Sequence, residues 1–210
     1  MKIFLGTSLK QNFFVFLVVT LCCYGYSGFV RFEQYQAWKE VATDHFYKQT
    51  PMMTSLDSYH WLRWAKEYAE GQEFGGPDLL RHFPDTGNRS FDNLGIKSEH
   101  RDRPDSVPVI SYLVAKSAPI FSNNYYITGL FLAAALSGLF ILPLAFYFYL
   151  VGYPVAGLLG GLIGTVSVEY LIRTGLGRVD TDVLNLFFPF LTSLFVLKAA
   201  RNHVKIRVLS

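Results

Sequence analysis

The chain has 210 residues, of which 51% are hydrophobic and 17% charged, and its formal net charge is +3. That is more apolar than an ordinary soluble domain, and nothing in so nearly neutral a chain calls for nucleic acid among its partners. The charges are also unevenly placed, since no Asp, Glu, Lys or Arg occurs from Ser117 to Val168. A spanning helix needs about 20 apolar residues, so this stretch is long enough to cross a bilayer twice.

In chain order, residues 1–10 form a short basic start containing Lys2 and Lys10. Phe13 to Val30 is almost wholly apolar and predicts a first transmembrane helix over 11–30. The alternative is a cleaved leader, with Phe13 to Cys23 as its apolar core and Gly25-Tyr26-Ser27 as a small-x-small site. The apolar run continues to Val30, which is long enough to span, and this favours a retained helix. Cys22 and Cys23 are neighbours inside it, poorly placed for an unstrained bridge. The five histidines lack metal-ligand spacing.

Residues 31–123 carry 11 Lys/Arg against 13 Asp/Glu and read as one large external loop. Glu33 to Phe46 has no Gly or Pro and predicts helix. Leu56, Trp61, Trp64, Ala65 and Tyr68 give an amphipathic pattern ending near Gly71. Gly71 to Pro108 is rich in turn-forming residues and predicts loop. A second span follows over 124–151, and Gly152-Tyr153-Pro154 reverses the chain. A third span over 155–172 carries Gly157, Gly160, Gly161 and Gly164, small residues that let helices approach closely. The acidic hairpin 173–182, a fourth span over 183–200 and a basic tail over 201–210 complete the chain.

The fold class expected is therefore an all-α membrane protein of about four transmembrane helices. Four spans put both termini on one side. The two ends carry +2 and +4, the long loop −2 and Glu169–Asp182 −1. Lys and Arg near span ends favour the cytoplasm, so both termini are expected inside. The loop and the hairpin would then share the outer face, whichever way the protein sits.

The hairpin from Arg173 to Asp182 is the segment most loaded with chemistry. Asp180 and Asp182 flank one residue at the mouth of a membrane helix, and carboxylates suit hard cations such as Mg²⁺ or Mn²⁺. The plainer reading is that Asp182 caps the helix starting at Val183 while Asp180 balances Arg173 or Arg178. Asp57 likewise sits where a first helical turn favours an acid. Span parity brings it to the same face as Asp180 and Asp182. Arg173 lies on the side disfavoured for basic residues and is placed to hold a phosphate or orient a carboxylate.

Pro51 to Tyr68, with Asp57-x-Tyr59 and Arg63-Trp64-Ala65, resembles the first external loop of oligosaccharyltransferase catalytic subunits. Arg173-Thr174, Gly177 and Asp180-Thr181-Asp182 resemble that family's second acidic motif, and Arg103-Pro104 to Leu113 resembles its loop end. The resemblance implies a GT-C membrane glycosyltransferase fold. It also implies transfer of an oligosaccharide from a lipid (poly)phosphate carrier to Asn in Asn-x-Ser/Thr of an acceptor polypeptide. By the same resemblance Asp57 and Asp180 ligate Mn²⁺ or Mg²⁺, Asp182 supports that centre, and Arg173 organises it or approaches the phosphate.

The family pattern also contains more spans, a later catalytic acid and a Trp-Trp-Asp element, none of which occurs here. The resemblance therefore implies the N-terminal part of such an enzyme, inactive without a C-terminal part or partner subunit. It implies an integral membrane location, in a bacterial or archaeal plasma membrane or the endoplasmic reticulum, with the active face external or lumenal. The competing readings are another GT-C enzyme resembling protein O-mannosyltransferases and a non-catalytic membrane subunit. The first favours an adjacent Asp-Glu pair, whereas Asp57 is followed by Ser58. Asn88-Arg89-Ser90 matches the acceptor tripeptide, a pattern that chance supplies easily.

Overall fold

The computed structural model describes residues 12–76, 78 and 103–209; the Asn88-Arg89-Ser90 tripeptide and the N-terminal Lys2 and Lys10 lie outside them. The described chain is an all-α membrane protein. Helix α1 spans Phe13–Glu40 and is capped by Asn12, whose side chain accepts from the Val15 amide. A single turn (α2, Ala42–His45) and a two-residue hairpin, β1 (Phe46–Tyr47) with β2 (Thr50–Pro51), follow. Helices α3 (Leu56–Ala69) and α4 (Val109–Ser117) belong to the loop. The remaining helices are α5 (Tyr125–Ser137), α6 (Ile141–Val151), α7 (Pro154–Val166), α8 (Val168–Thr174) and α9 (Phe187–Leu209).

Among the described residues three stretches are long and apolar enough to cross a membrane: Phe13–Glu40, Tyr125–Val151 and Thr181–Asn202. The bent pair α7–α8 makes a fourth if its two halves count as one span. Helix α1 continues ten residues past Val30, and the helix expected to run from Glu33 to Phe46 is instead the end of α1, broken at Val41. The third span is not straight. It bends by 61° at Ser167, whose backbone is extended (φ −61, ψ 141) and whose amide and hydroxyl both turn back to the Gly164 carbonyl. No proline or glycine stands at the break, and the uncharged run ends only beyond it, at Val168.

Gly152 adopts φ +103 and closes α6, and Pro154 opens α7 where its missing N–H costs nothing. Gly157 and Gly161 of α7 pack within the chain, whereas Gly160 is exposed. A Cβ on Gly157 would lie 2.8 Å from Phe148 Cβ and 3.1 Å from Ala145 Cα, and one on Gly161 would lie 3.1 Å from Ile141. They are what lets α6 and α7 run side by side. Gly157→Val is therefore expected to destabilise the bundle by about 1–3 kcal/mol through overpacking. Denaturant titration of the reconstituted chain measures this, and an unshifted midpoint would refute the packing role.

Two apolar cores result. One lies within the bundle, built on Phe16, Phe140, Ile141, Ala145 and Leu158. The other joins the loop to the bundle through Leu62, Ala65, Ile110, Val114, Ala133, Val179 and Val183. The buried face of α3 is Ser58, Leu62, Trp64 and Ala65, whereas Leu56, expected on the apolar face, is 87% exposed. A Cβ on Gly129 would meet Leu62 and Val179 at 2.5 and 3.0 Å. The bare backbone of α5 thus admits the loop helix and the hairpin to one contact.

Candidate active site

The N-terminal turn of α3 is hydrogen-bonded to the acidic hairpin. Thr54 donates its amide to Gly177 O at 3.1 Å and its hydroxyl to Leu176 O at 3.3 Å. The buried Ser58 hydroxyl donates to Gly177 O at 3.0 Å and accepts from the Val179 amide at 2.9 Å. Its one proton is thereby committed, so Ser55 Oγ donates across the 2.8 Å Ser55–Ser58 contact while capping the helix by accepting from the Ser58 amide. Gly177 has φ +77, and a Cβ there would meet Trp38 at 2.6 Å; only glycine fits.

This stitching brings together the two segments that carry the expected acids. Asp57 is the chain neighbour of Ser58, sits in the first turn of α3 and is exposed, with no bonded partner among the described residues. Asp180 is the chain neighbour of Val179. Its Oδ1 accepts from the Thr181 amide (2.6 Å), the Thr181 hydroxyl (3.2 Å) and Trp61 Nε1 (3.1 Å). Its second oxygen has no bonded partner among the described residues. Asp180 is thus the cap of the 3₁₀ turn Thr181–Leu184, a role the sequence suggested for Asp182. Asp182 accepts from Asn185 Nδ2 at 2.7 Å and faces Arg173 loosely at 3.9 Å. Arg173 itself is largely exposed.

The donors available are hard oxygens, the right chemistry for Mg²⁺ or Mn²⁺. Asp57 and one oxygen of Asp180 are uncommitted. Among the described residues no group of three or more His, Cys, Asp or Glu side chains is placed to hold a metal ion. The residues present therefore suit a divalent cation in kind, by the chemistry of their oxygens alone.

A second polar cluster closes the neck of the long loop. Arg63 on α3 is bidentate to the buried Asp78 carboxylate and also pairs with Glu67 at 2.8 Å. Trp64 Nε1 donates to Asp78 at 3.3 Å, and Arg103 reaches Glu67 at 3.1 Å. Gly75 and Arg103 exchange backbone bonds with Pro104 and Gly76. Burial alone would raise the Asp78 carboxyl, but hydrogen bonds and charge from Arg63 outweigh it and hold the group below its ordinary 3.8. Ser58 and Asp78 escaped the sequence reading because neither belongs to a periodic pattern, and Trp61 was read only as part of the amphipathic pattern, not as the donor to Asp180. Arg31 escaped it because its charge set the edge of the apolar run.

The family described as "Oligosaccharyl transferase STT3, N-terminal" matches residues 29–209, and the chain belongs to that family. It is 24% identical over 190 residues to an undecaprenyl-diphosphooligosaccharide–protein glycotransferase of Campylobacter jejuni subsp. jejuni serotype O:2, covering 90% of this chain and 23% of that protein. A protein of the same name from Campylobacter jejuni strain RM1221 is 23% identical over the same coverage. The chain thus spans about a quarter of the length of these curated relatives. With its candidate spans, this makes it an integral membrane protein.

Proposed function

We propose that this chain is the N-terminal membrane part of an oligosaccharyltransferase that moves a glycan from a lipid (poly)phosphate carrier to protein asparagine in Asn-x-Ser/Thr. The observation that carries the reading is the double hydrogen bond of Ser58, which sews the turn holding Asp57 to the strand of chain holding Asp180. The uncommitted Asp57 carboxylate and the free oxygen of Asp180, on adjoining segments, favour a divalent cation, Mn²⁺ or Mg²⁺, held by Asp57 and Asp180. Asp182, fixed by Asn185, supplies further negative potential beside them and aligns Arg173. Such a cation neutralises charge developing on a departing phosphate.

The chain's own residues do the orienting. Trp61 and the Thr181 amide occupy one oxygen of Asp180 and so turn the other outward. Arg173, exposed and only loosely paired, is free to meet an anionic phosphate. Within this reading the donor is a lipid-linked oligosaccharide and the acceptor a polypeptide sequon on the external or lumenal face. The 210-residue chain does not complete the transfer alone, a view supported by relatives about four times its length.

Paramagnetic Mn²⁺ binding to the reconstituted chain tests the cation. Weak binding is expected, because few protein oxygens leave the shell to water, and it should fall in both Asp57→Ala and Asp180→Ala. Binding unchanged in both variants would return these residues to helix capping.

A further inference from the structure

We infer that Arg31 is the positioning residue of the acidic hairpin, fixing where the chain leaves the bent pair α7–α8. Its side chain is the largest among those fully buried, at 0% exposure, inside a helix that is apolar for most of its length. No carboxylate pairs with it among the described residues. Its fork is spent on three separate segments. Nε donates to Thr174 O at 3.1 Å and Nη2 to Thr174 Oγ1 at 2.7 Å. Nη1 donates to Ser27 O and Ser27 Oγ at 3.1 and 3.0 Å, with Thr165 Oγ1 at 3.4 Å. Ser27 and Thr165 share a 2.6 Å hydroxyl bond, and the Tyr170 ring lies 5.9 Å from the guanidinium carbon.

Packing alone does not account for such a residue, because an apolar side chain would fill the space without burying a charge. The acceptors reveal what the charge does. Thr174 is the last residue of α8 and the one from which the hairpin departs, and a cation at a helix C-terminus is stabilised by the carbonyls there. Thr165 lies just before the break at Ser167, and Ser27 is one turn back on α1. A single guanidinium therefore spans both sides of the 61° bend, which planar, five-donor geometry permits and a lysine does not.

Arg31 is also one of a row. Ser27, Arg31, Gln34 and Trp38 follow at helical spacing along one face of α1. Ser27 meets Thr165, Arg31 meets Thr174, Gln34 accepts from the Leu176 amide at 3.2 Å, and Trp38 lies against Gly177. Each step along α1 meets a later point of the bent pair and hairpin. Asp180 lies three residues beyond the last contact. Helix α1 thus acts as a rail for the hairpin, and Arg31 is the point where the rail grips both halves of the bend.

The inference rests on the proposed function only in taking the hairpin as part of a reaction centre; the geometry is testable without activity. In a Cys22→Ala/Cys23→Ala background, nitroxides at Leu56→Cys and Ile172→Cys report loop helix against bent helix by pulsed electron resonance in lipid nanodiscs. A second pair at Leu21→Cys and Phe195→Cys reports the bundle. Arg31→Met is expected to broaden the first distance distribution about twofold, as a released hairpin samples several arrangements, and to leave the second unchanged. Arg31→Lys, which keeps the charge without the fork, should recover part of the narrow distribution. An unchanged first pair overturns the inference. So does broadening of both pairs, which would make Arg31 a residue of the whole bundle. Failure of Asp57→Ala to affect glycan transfer would sink the functional reading and leave this measurement standing.

Discussion

Asp78→Ala is expected to cost about 3 kcal/mol at the neck of the long loop, the lower end of the range for removing one partner of a buried ion pair. The lower end applies because Arg63 keeps Glu67 when Asp78 is gone. The same pair makes the neck pH-sensitive, and its sign is fixed. The Asp78 carboxyl sits below its ordinary 3.8 in the folded chain, so the folded state holds fewer protons than the unfolded state around that value. Its contribution is complete above about pH 5 and is lost as pH falls through the folded-state value. Hydrogen exchange at the Gly75 and Arg103 amides reads both effects, since their bonds to Pro104 and Gly76 close the neck. Lower protection relative to the intrinsic exchange rate on acidification in the native chain, and at neutral pH in Asp78→Ala, is the expected pattern. Equal protection in all cases would mean that the ion pair is incidental.

Ser58→Val carries a large expected effect on chemistry. Valine, isosteric with threonine, neither donates to Gly177 O nor accepts from the Val179 amide, so the Val179 amide loses its partner and Gly177 O keeps only the Thr54 amide. The turn bearing Asp57 then parts from the hairpin bearing Asp180. A displacement of about 1 Å in a reaction centre costs roughly 100-fold in rate, and that is the loss expected in transfer by the complete enzyme. Ser58→Thr keeps the hydroxyl and should retain most activity, which separates positioning from a general loss of fold. Full activity in Ser58→Val would show that the two acids need not be held together.

Much of this was legible in the sequence. Uncharged runs marked the membrane helices, because burying charge in lipid is expensive. Asp180 and Arg173 stood out because a carboxylate and an arginine at a span mouth are chemically loaded, Asp57 because span parity puts it on the same face, and the motifs around all three resembled a known family. What stayed hidden was everything carried by tertiary contact. Ser58 looks like any serine in a first helical turn, and its partners lie about 120 residues away. The bend at Ser167 has no proline to announce it. Arg31 was read as the first residue of a hydrated loop because hydropathy treats any charge as a boundary. Yet Glu33 onward already read as helix without Gly or Pro, so one continuous helix through Arg31 was the signal available. The roles of Asp180 and Asp182 were exchanged because either acid is equally able to cap a turn, and only the backbone path decides which does.

Transfer of a lipid-linked glycan to an Asn-x-Ser/Thr peptide tests the central claim most directly. The chain is co-expressed with the C-terminal portion of a family enzyme, and the membranes are assayed with and without Mn²⁺. Metal-dependent transfer is expected in the native pair and should fall at least about 100-fold in Asp57→Ala and in Asp180→Ala, as removing charge stabilisation at a leaving group does. Transfer at the native rate in both variants would contradict the assignment of these two carboxylates to the reaction centre.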